Sequence, residues 1–559
     1  MQKNILIGGE AGQGLQTIAG ILGKTLFREG YEVFTTKNYM SRVRGGHNFI
    51  KIRFGDEELH GSDSKLDLIV ALDQETIKKH SEDLKDDGLI LFEANNDKER
   101  QISLPAGEIA ADINPKGKNT VYIGAILKLY GLSLEKCNSV ISENFSENDL
   151  IADNQKLLEK GYQNVETEEE IVKVDENDKR IYIDGNTAIG YGAVSAGVKY
   201  YSAYPMSPST GIMNYIAGKQ DELSLVVEQA EDEIAAINMA LGASYGGIRA
   251  MTGTSGGGFA LMAESVGLAG ITETPLVIAE VQRPGPATGL PTRTEQGDLL
   301  FAVNVSQGDF PLMVMAPKDH EDAFYQTFRA HNIAEKYQIP VVILSDQYLA
   351  DSTASIDEFD FSKLEINRDL IEKNESDKYN NYNRYEFTDD GISPRAYPSL
   401  LEGEVVLADS DEHNQHGNII EDSQTRIKMA DKRMKKLDKL IAEDLLEPEY
   451  YGQENADYLF LSWGSTFGVL KETVDLLQED DINAGILSFN DIWPLPKNKL
   501  KEWADKDVNL IDVENNATAQ FARLISSETG IQVDSKILKY DGRPFTAREI
   551  YNKFKSEVK

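Results

Sequence analysis

The sequence has almost no cysteine, since Cys137 is the only one in 559 residues. A single thiol cannot form a disulfide within the chain, and it cannot supply the several thiolates of a cysteine-ligated zinc site or an iron–sulfur cluster. No metal ligands are predicted in this chain. If the protein takes part in a redox reaction, another protein must hold the electron carrier.

Long hydrophobic runs are also missing. A membrane helix needs about 18 or more consecutive apolar residues, and the best candidate here is interrupted by Glu264 and Glu273. Residues 4–7 form a short strand-like run that is followed directly by Gly-Gly-Glu, which differs from the long apolar core of a signal peptide. The sequence predicts a cytoplasmic protein that has no membrane partner.

Basic residues are scarce relative to acidic ones. Lys and Arg number 57 against 93 Asp and Glu, which gives a formal net charge of −36. Proteins that bind nucleic acid present a basic face to the phosphates, so this composition argues against a nucleic-acid partner. The acidic surface is either ordinary solvation or an adaptation to high internal salt, which would screen the charge.

Glycine is abundant, and apolar strand-like runs alternate with helical patterns. The 45 glycines suit tight turns between strands and helices. Strand-like runs at residues 68–72 and 89–92 follow a helical pattern at 15–27, and similar alternation recurs in two later parts of the chain. Such alternation is typical of α/β domains with parallel sheets.

Shifts in composition divide the chain into four segments. The polar and acidic stretch at residues 140–180 is interpreted as a connector, and a basic stretch near 422–445 has helical character. The predicted segments are an α/β domain at 1–178, a second at 179–352, an extended arm or linker at 353–455 and a third α/β domain at 456–559.

A glycine-rich turn at residues 8–14 follows the first predicted strand. Its spacing is neither that of a Rossmann fingerprint nor that of a P-loop. The amides of Gly12 and Gly14 at a helix start can hold a phosphate, but the motif alone favours a structural turn.

A second unusual stretch lies at residues 41–47. It places two cations, Arg42 and Arg44, beside two glycines and before a predicted strand. This arrangement suits an anionic ligand, a subunit contact or an ordinary loop.

Polar loops follow successive predicted strands of the second domain. Ligands bind where strands end in open α/β sheets, so a binding site is predicted at these loops. The loops are Tyr-Pro-Met-Ser-Pro-Ser-Thr at 204–210, an acidic helix start at 228–233, Thr-Gly-Thr-Ser-Gly-Gly-Gly at 252–258 and the Pro/Gly-rich segment 283–294.

Three side chains in these loops are candidates for chemistry. Ser207 lies between two prolines, where a helix N-cap is the plain alternative. Glu233 begins an alanine-rich helix, where capping is the default, but a buried carboxylate can also share a proton with a ring nitrogen. Arg283 offers a fork that matches a carboxylate, with a surface salt bridge as the alternative. Thr292 and Arg293 lie further along the same loop.

The motifs resemble those of the alpha subunits of 2-oxoacid:ferredoxin oxidoreductases, in the form with a gamma domain fused at the N-terminus. Residues 204–208 are similar to the family's Tyr-Pro-Ile-Thr-Pro, with Ser207 in place of threonine and Met206 in place of isoleucine. The glycine turn and residues 41–47 look like the gamma domain. Further matching segments are 231–236, 289–293 and, as in the arm of the 2-oxoglutarate-like branch, 411–414 and 428–436.

The resemblance implies a fold and an activity. The three α/β domains would be a gamma-like domain, a pyrimidine-type thiamine-diphosphate-binding domain and a transketolase C-terminal-like domain. The implied reaction is reversible oxidative decarboxylation of a 2-oxoacid, with 2-oxoglutarate favoured, to acyl-CoA and CO2 with reduction of ferredoxin. Pyruvate, branched-chain or aromatic 2-oxoacids stay open, as does a non-catalytic partner subunit of the same fold.

The resemblance also implies cofactors and partners. Thiamine diphosphate would be shared with a beta subunit, which would carry Mg²⁺ and a [4Fe–4S] cluster. Coenzyme A would be the cosubstrate and ferredoxin the electron acceptor. The assembly would be a heterodimer or a dimer of heterodimers.

The family pattern implies roles for individual residues at the cofactors. Glu233 would contact the aminopyrimidine ring and assist activation of the cofactor, with Tyr204 and Pro205 beside it. Gly12 and Gly14 of the gamma-like domain would help to hold coenzyme A.

The same pattern implies how the 2-oxoacid is bound. Arg283 would bind the substrate carboxylate, and Arg293 would either assist it or have a structural role. Ser207 and Thr292 would form hydrogen bonds around the reacting carbonyl. Glu233, Ser207 and Arg283 are thus the predicted catalytic residues.

Overall fold

The computed structural model describes two compact units. It covers residues 1–41, 45–93, 100–166, 169, 171–175 and 179–558, without the side chains of 375–377. The predicted cations Arg42 and Arg44 therefore lie outside the described residues. Unit 1 comprises residues 1–184, 351–358 and 546–548, and unit 2 comprises 185–350, 359–545 and 549–559.

The described residues form an α/β structure, as predicted. The strands are β1 (Gln2–Glu10), β2 (Glu32–Asn38), β3 (His47–Gly55), β4 (Leu66–Ala71), β5 (Leu84–Phe92), β6 (Gln101–Ser103), β7 (Arg180–Asp184), β8 (Tyr200–Ala203), β9 (Val226–Gln229), β10 (Ala250–Thr254), β11 (Leu276–Gln282), β12 (Met313–Met315), β13 (Pro340–Asp346), β14 (Thr353–Asp357), β15 (Glu449–Gly452), β16 (Tyr458–Trp463), β17 (Ala484–Phe489), β18 (Asp491–Trp493), β19 (Asn509–Glu514) and β20 (Ser535–Leu538).

Helices alternate with these strands along most of the chain. They are α1 (Leu15–Arg28), α2 (Gln74–His80), α3 (Ala106–Ala111), α4 (Lys118–Leu129), α5 (Glu135–Asn144), α6 (Asn148–Gln163), α7 (Gly185–Ser195), α8 (Thr210–Ala217), α9 (Gln220–Leu223), α10 (Glu233–Tyr245), α11 (Gly256–Ile271), α12 (Leu299–Val303), α13 (His320–Tyr337), α14 (Gln347–Asp351), α15 (Ser423–Glu443), α16 (Thr466–Glu479), α17 (Asn498–Ala504), α18 (Gln520–Thr529) and α19 (Ala547–Lys553). Among the described residues, no helix is both long enough and apolar enough to cross a membrane.

Unit 1 contains an eight-stranded sheet in the order β6-β5-β4-β1-β3-β2-β14-β7. The strands from β6 to β1 are parallel, as the alternation with helices predicts. The strands from β1 to β7 pair in antiparallel fashion. The connection between β2 and β3 is too short for these two strands to be parallel, because a parallel pair needs a crossover of a dozen or more residues.

The polar stretch at residues 140–180 contains a packed helix, so its interpretation as a connector was wrong. The helix α6 packs against α4 so closely that a side chain on Gly124 would overlap the carbonyl oxygen of Leu158. A side chain on Gly161 would equally overlap the carbonyl oxygen of Val121. The buried face of α6 is narrow and the rest of the helix is polar, so the sequence pattern did not indicate that the helix is packed. The close contact depends on glycine, because only glycine allows the two backbones to touch.

Unit 2 contains the other two sheets. The seven-stranded sheet has the order β18-β12-β13-β11-β10-β8-β9, and the five-stranded sheet has the order β15-β17-β16-β19-β20. In the larger sheet, all strands from β12 to β9 run parallel. Every residue of β10, β11 and β13 is buried, as is usual for parallel strands covered on both faces. Their carboxyl ends therefore leave the sheet at one edge, where the predicted polar loops begin.

The predicted arm at 353–455 contains the strands β14 and β15 and the helix α15, and it is otherwise irregular with short turns. The basic helix α15 does not present all of its cations to solvent, because Lys432 and Lys436 are buried. Their ammonium groups lie 2.7 and 2.5 Å from the fully buried Glu273 carboxylate, which follows α11. These ion pairs attach the helix to the region of the seven-stranded sheet. Removing either the lysines or Glu273 would destabilise the fold, because a buried charge would be left unpaired.

Candidate functional site

The loop after β8 and the loop after β11 meet directly. Nη1 of Arg283 donates a hydrogen bond of 2.6 Å to the backbone oxygen of Ser207. Helix α8 begins at Thr210 with Ser209 at its N-cap, so Ser207 does not have the capping role. Nε of Arg283 is buried without a hydrogen-bond partner in the described part of the chain. The guanidinium therefore has donor capacity left for a ligand.

Glu233 is buried at the start of α10 but does not cap that helix. The cap is Asp232, whose Oδ1 accepts a 2.8 Å hydrogen bond from the backbone N–H of Ala235. Glu233 is only 4 % exposed. Among the residues that the structure describes, none forms a hydrogen bond or an ion pair with its carboxylate. A buried carboxylate normally has such a partner, so this one is suited to a ligand.

The glycine-rich start of α11 connects these two places. A Cβ added to Gly258 would lie 2.6 Å from Oε1 of Glu233, and it would also overlap the hydroxyl of Thr254. The same hydroxyl, Oγ1 of Thr254, lies 3.8 Å from Sδ of Met206. Glu233 and the loop that carries Ser207 thus face a common space. The motif at 252–258 was identified in the sequence, but Thr254 and Gly258 were not selected as site residues. The glycine run at a helix start was the signal that could have indicated them.

The remaining predicted residues of unit 2 surround this space less directly. Tyr204 is exposed and Pro205 is half-buried at the end of β8. Thr292 is buried, and Nη1 of Arg293 donates a 3.3 Å hydrogen bond to the backbone oxygen of Thr292. The stem of Arg293 lies against Gly542 in the last part of the chain. The end of the loop from 283 to 294 is therefore packed, whereas its middle, residues 285–290, is exposed.

Gly12 and Gly14 lie in unit 1, at the start of α1. Gly14 is the N-cap and has a φ of 74°, a conformation that favours glycine. Two cavities of about 420 and 530 Å³ adjoin this turn. The second is also lined by Lys116 and Lys118, next to the N-terminus of α4. Amides of two helix starts and the cation of Lys116 make this turn suitable for a phosphate group, while the ammonium group of Lys118 pairs with Glu93.

One buried carboxyl group near the site was not selected from the sequence. Glu280 in β11 is 0 % exposed, and neither of its oxygens has a partner among the described residues. Burial raises the pKa of Glu280 well above its usual value, and the charges of Asp298 and Asp346 add to this. Burial also raises the pKa of Asp298 to about 6, while Arg283 opposes the rise. An acid in the middle of an apolar strand was the available signal.

We expect Glu280→Gln to raise the melting temperature at neutral pH. A raised pKa means that the folded state binds a proton that the unfolded state has released. The wild-type chain therefore loses stability as the pH rises above the usual value of 4.5 toward the folded pKa, by about 1.4 kcal/mol for each pH unit. The variant should match the wild type near pH 4 and be more stable near pH 8, measured by thermal unfolding. Glu231→Gln, at an exposed acid, is the control, and identical pH profiles for Glu280→Gln and the wild type would contradict the prediction.

The family comparisons identify three consecutive parts of the chain. Residues 191–432 match the family described as "Pyruvate flavodoxin/ferredoxin oxidoreductase, thiamine diP-bdg". Residues 4–164 match "Pyruvate ferredoxin/flavodoxin oxidoreductase", and residues 456–550 match "Pyruvate:ferredoxin oxidoreductase core domain II". Together with the fold and the loop site, these matches define the chain as an oxidoreductase subunit with a thiamine-diphosphate-binding domain.

Relatives define the family more closely. The chain is 34 % identical to a 2-oxoacid:ferredoxin oxidoreductase subunit alpha from Sulfolobus sp, over 98 % of this chain and 96 % of that protein. It is 32 % identical to the 2-oxoglutarate synthase subunit KorA from Methanothermobacter marburgensis, over 66 % of this chain and 97 % of that one. The solved 2-oxoglutarate:ferredoxin oxidoreductase from Magnetococcus marinus, with 2-oxoglutarate, coenzyme A and succinyl-CoA bound, is 30 % identical and covers both chains completely with a TM-score of 0.91. The chain belongs to the 2-oxoacid:ferredoxin oxidoreductase family, as an alpha subunit.

Proposed function

We propose that this alpha subunit binds 2-oxoglutarate at Arg283 and, with a beta subunit, converts it to acyl-CoA and CO2 while ferredoxin is reduced. The observation that supports this proposal is a series of contacts that links three groups through Thr254 and Met206. The three groups are the partner-free buried carboxylate of Glu233, the small wall formed by Gly258, and the Arg283 guanidinium held on the backbone of Ser207.

The preference for 2-oxoglutarate is supported by two similar proteins. The name of the Methanothermobacter relative and the ligands of the Magnetococcus structure both point to this substrate. Pyruvate and branched-chain or aromatic 2-oxoacids are the alternative substrates. The shape of the pocket decides which of these 2-oxoacids is bound.

Residues of the site fit the aminopyrimidine ring of thiamine diphosphate. A ring nitrogen would give the Glu233 carboxylate the partner that it lacks within the described chain, and the absence of a side chain at Gly258 leaves room beside it. When bound, thiamine diphosphate supplies the carbanion stabilisation that decarboxylation of a 2-oxoacid requires.

This chain's own side chains would orient the reactants and move one proton. Glu233 would hold a proton between its carboxylate and the N1′ atom of the ring, with Tyr204 and Pro205 at the edge of the cofactor. Arg283 would bind the substrate carboxylate through its free N–H groups. Ser207 and Thr292 would donate hydrogen bonds near the reacting carbonyl, where charge develops.

The proposal assigns the remaining components to other surfaces or proteins. Coenzyme A would place phosphate groups at the Gly12 and Gly14 turn of unit 1, and the lysines that line the adjoining cavity support this role. The beta subunit would carry Mg²⁺ and the [4Fe–4S] cluster, since this chain has one cysteine, Cys137, which is buried. We place the heterodimer, or dimer of heterodimers, in the cytoplasm.

The proposed domain division follows the boundaries derived from the sequence. These are a gamma-like domain at 1–178, a pyrimidine-type domain at 179–352, an arm at 353–455 and a transketolase C-terminal-like domain at 456–559. This division assigns β7 to the pyrimidine-type domain and β14 to the arm, although the two strands pair with each other in the sheet of unit 1.

The test is coexpression of the full chain with its beta subunit, followed by viologen reduction with a panel of 2-oxoacids and coenzyme A. We expect the highest kcat/KM with 2-oxoglutarate. A higher value with another 2-oxoacid would correct the substrate, and no reduction with any of them, in a complex loaded with cofactor and cluster, would contradict the proposed function.

A further inference from the structure

The loop that carries Arg283 is closed at its base by a buried glutamine. Oε1 of Gln282 accepts a 3.0 Å hydrogen bond from the backbone N–H of Asp298. Nε2 of Gln282 donates a 3.0 Å hydrogen bond to the backbone oxygen of Ser345 in β13. The two ends of the segment from 283 to 298 are therefore fixed to each other and to the seven-stranded sheet.

The far side of this loop is attached to the five-stranded sheet through Gln296, which is 0 % exposed. Its Nε2 donates to the backbone oxygen of Trp463 at 2.8 Å, and its Oε1 accepts from the backbone N–H of Asn515 at 3.0 Å. Its own backbone N–H donates to the oxygen of Asn515 at 2.7 Å, and its oxygen accepts from Nδ2 of Asn516 at 3.0 Å. All four polar groups of Gln296 thus bind residues at the carboxyl ends of β16 and β19.

The partners of Gln296 are themselves held by one buried carboxylate. Glu514 accepts hydrogen bonds from Nδ2 of Asn516 at 2.6 Å, from the backbone N–H of Phe521 at 2.8 Å and from Nε1 of Trp463 at 3.3 Å. Burial and the charge of Glu514 raise the pKa of the neighbouring Asp512 well above its usual value. Burial also raises the pKa of Glu514, while its hydrogen bonds with Asn516, Phe521 and Trp463 oppose the rise.

A second amide side chain strengthens the same attachment. Nε2 of Gln520 donates a 2.6 Å hydrogen bond to the backbone oxygen of Gly297, and its Oε1 accepts from the backbone N–H of Leu300 at 2.9 Å. The loop is thus held on one side by the hydrogen bond from the Arg283 side chain to the backbone oxygen of Ser207, and on the other by amides from the last part of the chain.

We infer that Gln296 is a positioning residue for the 2-oxoacid, and that the five-stranded sheet sets the place of the Arg283 guanidinium through it. The inference rests on the proposed role of Arg283 as the carboxylate-binding group. Displacement of a binding group by about 1 Å can cost up to 100-fold in activity. The expected effect is therefore on recognition of the 2-oxoacid rather than on the chemistry that follows.

The test uses Gln296→Met, which keeps the length of the side chain and removes its two hydrogen bonds. Gln338→Met is the matched control, because Gln338 is equally buried and its amide also joins distant segments, at Ser393 and Arg384. With the full chain and its beta subunit, we expect Gln296→Met to raise the KM of the 2-oxoacid about tenfold or more. The kcat should change less than about threefold, and the control should lower the melting temperature without changing this KM.

Amide hydrogen exchange of residues 283–298 gives a second measurement that does not depend on turnover. We expect faster exchange in Gln296→Met and wild-type exchange in Gln338→Met. Gln520→Met, at a half-buried position, is the milder variant to use if Gln296→Met does not fold, and a smaller rise of the same KM is expected from it.

The outcomes separate this inference from the proposed function. An unchanged KM and unchanged exchange in the Gln296 and Gln520 variants, while Arg283→Ala raises the KM, would overturn the positioning role alone. An unchanged KM in Arg283→Ala would overturn the proposed carboxylate role itself. Equal losses of kcat and stability in Gln296→Met, with no change in KM, would show a purely structural glutamine and also overturn the inference.

Discussion

Replacing Arg283 with alanine is expected to raise the KM for the 2-oxoacid by about 100-fold or more, with little change in thermal stability. Truncating one member of a hydrogen-bonded charge pair in a desolvated site costs on the order of 2–5 kcal/mol, because the other charge is left unpaired. Its loss should not harm the fold, because the side chain makes one described hydrogen bond, to the backbone oxygen of Ser207. Steady-state viologen reduction with the beta subunit gives the KM.

Two further variants make this result specific. Arg283→Lys keeps the charge but loses the planar fork, so an intermediate KM is expected. Arg523→Ala removes an exposed arginine of α18 and should leave the KM unchanged. A wild-type KM for every 2-oxoacid in Arg283→Ala would rule out the carboxylate role.

Glu233→Gln is expected to lower kcat by about 100-fold to 10,000-fold while the assembled complex stays intact. The amide has the shape of the carboxylate but cannot hold the proton shared with N1′ of the ring. Because Asp232 caps α10, the helix start does not depend on the charge of Glu233. Hydrogen–deuterium exchange at C2 of the thiazolium ring should slow in parallel with kcat.

Neighbouring acids provide the controls for Glu233. Asp232→Asn keeps a good N-cap residue, and Glu231→Gln changes an exposed side chain. Both should retain nearly wild-type exchange at C2. If Glu233→Gln exchanges at the wild-type rate, its assignment to the ring is wrong.

Local sequence patterns were sufficient to predict most of the strands but fewer than half of the helices. The helix predicted at 15–27 and the strands predicted at 68–72 and 89–92 correspond to α1, β4 and β5. The helix α13 was not predicted, because buried polar residues such as His331 and Glu335 interrupt its apolar pattern. Such residues are tolerated only where distant partners satisfy them, and Glu335 pairs with arginines from other segments. Periodicity cannot reveal partners of that kind.

The candidate site shows the same division between local and distant information. Ser207, Glu233 and Arg283 were selected because each stands in a short motif at a strand end. Glu280 and Gln296 were not selected, since their importance depends on burial and on partners far along the chain. The amide of Gln296, for example, accepts a hydrogen bond from a residue 219 positions away.

This distance has a consequence for the order of events during protein synthesis. Domains generally fold as they emerge from the ribosome, beginning at the N-terminus. The seven-stranded sheet has most of its strands once residue 346 has been made. The partners of Gln296 are synthesised later, the first at residue 463 and the last at residue 516. Residues 283–298 of a nascent chain therefore lack their outer attachments until residue 516 has been made. A chain that terminates before this point would be left with an unanchored loop, so this segment is expected to be ordered only in translation products that extend past residue 516.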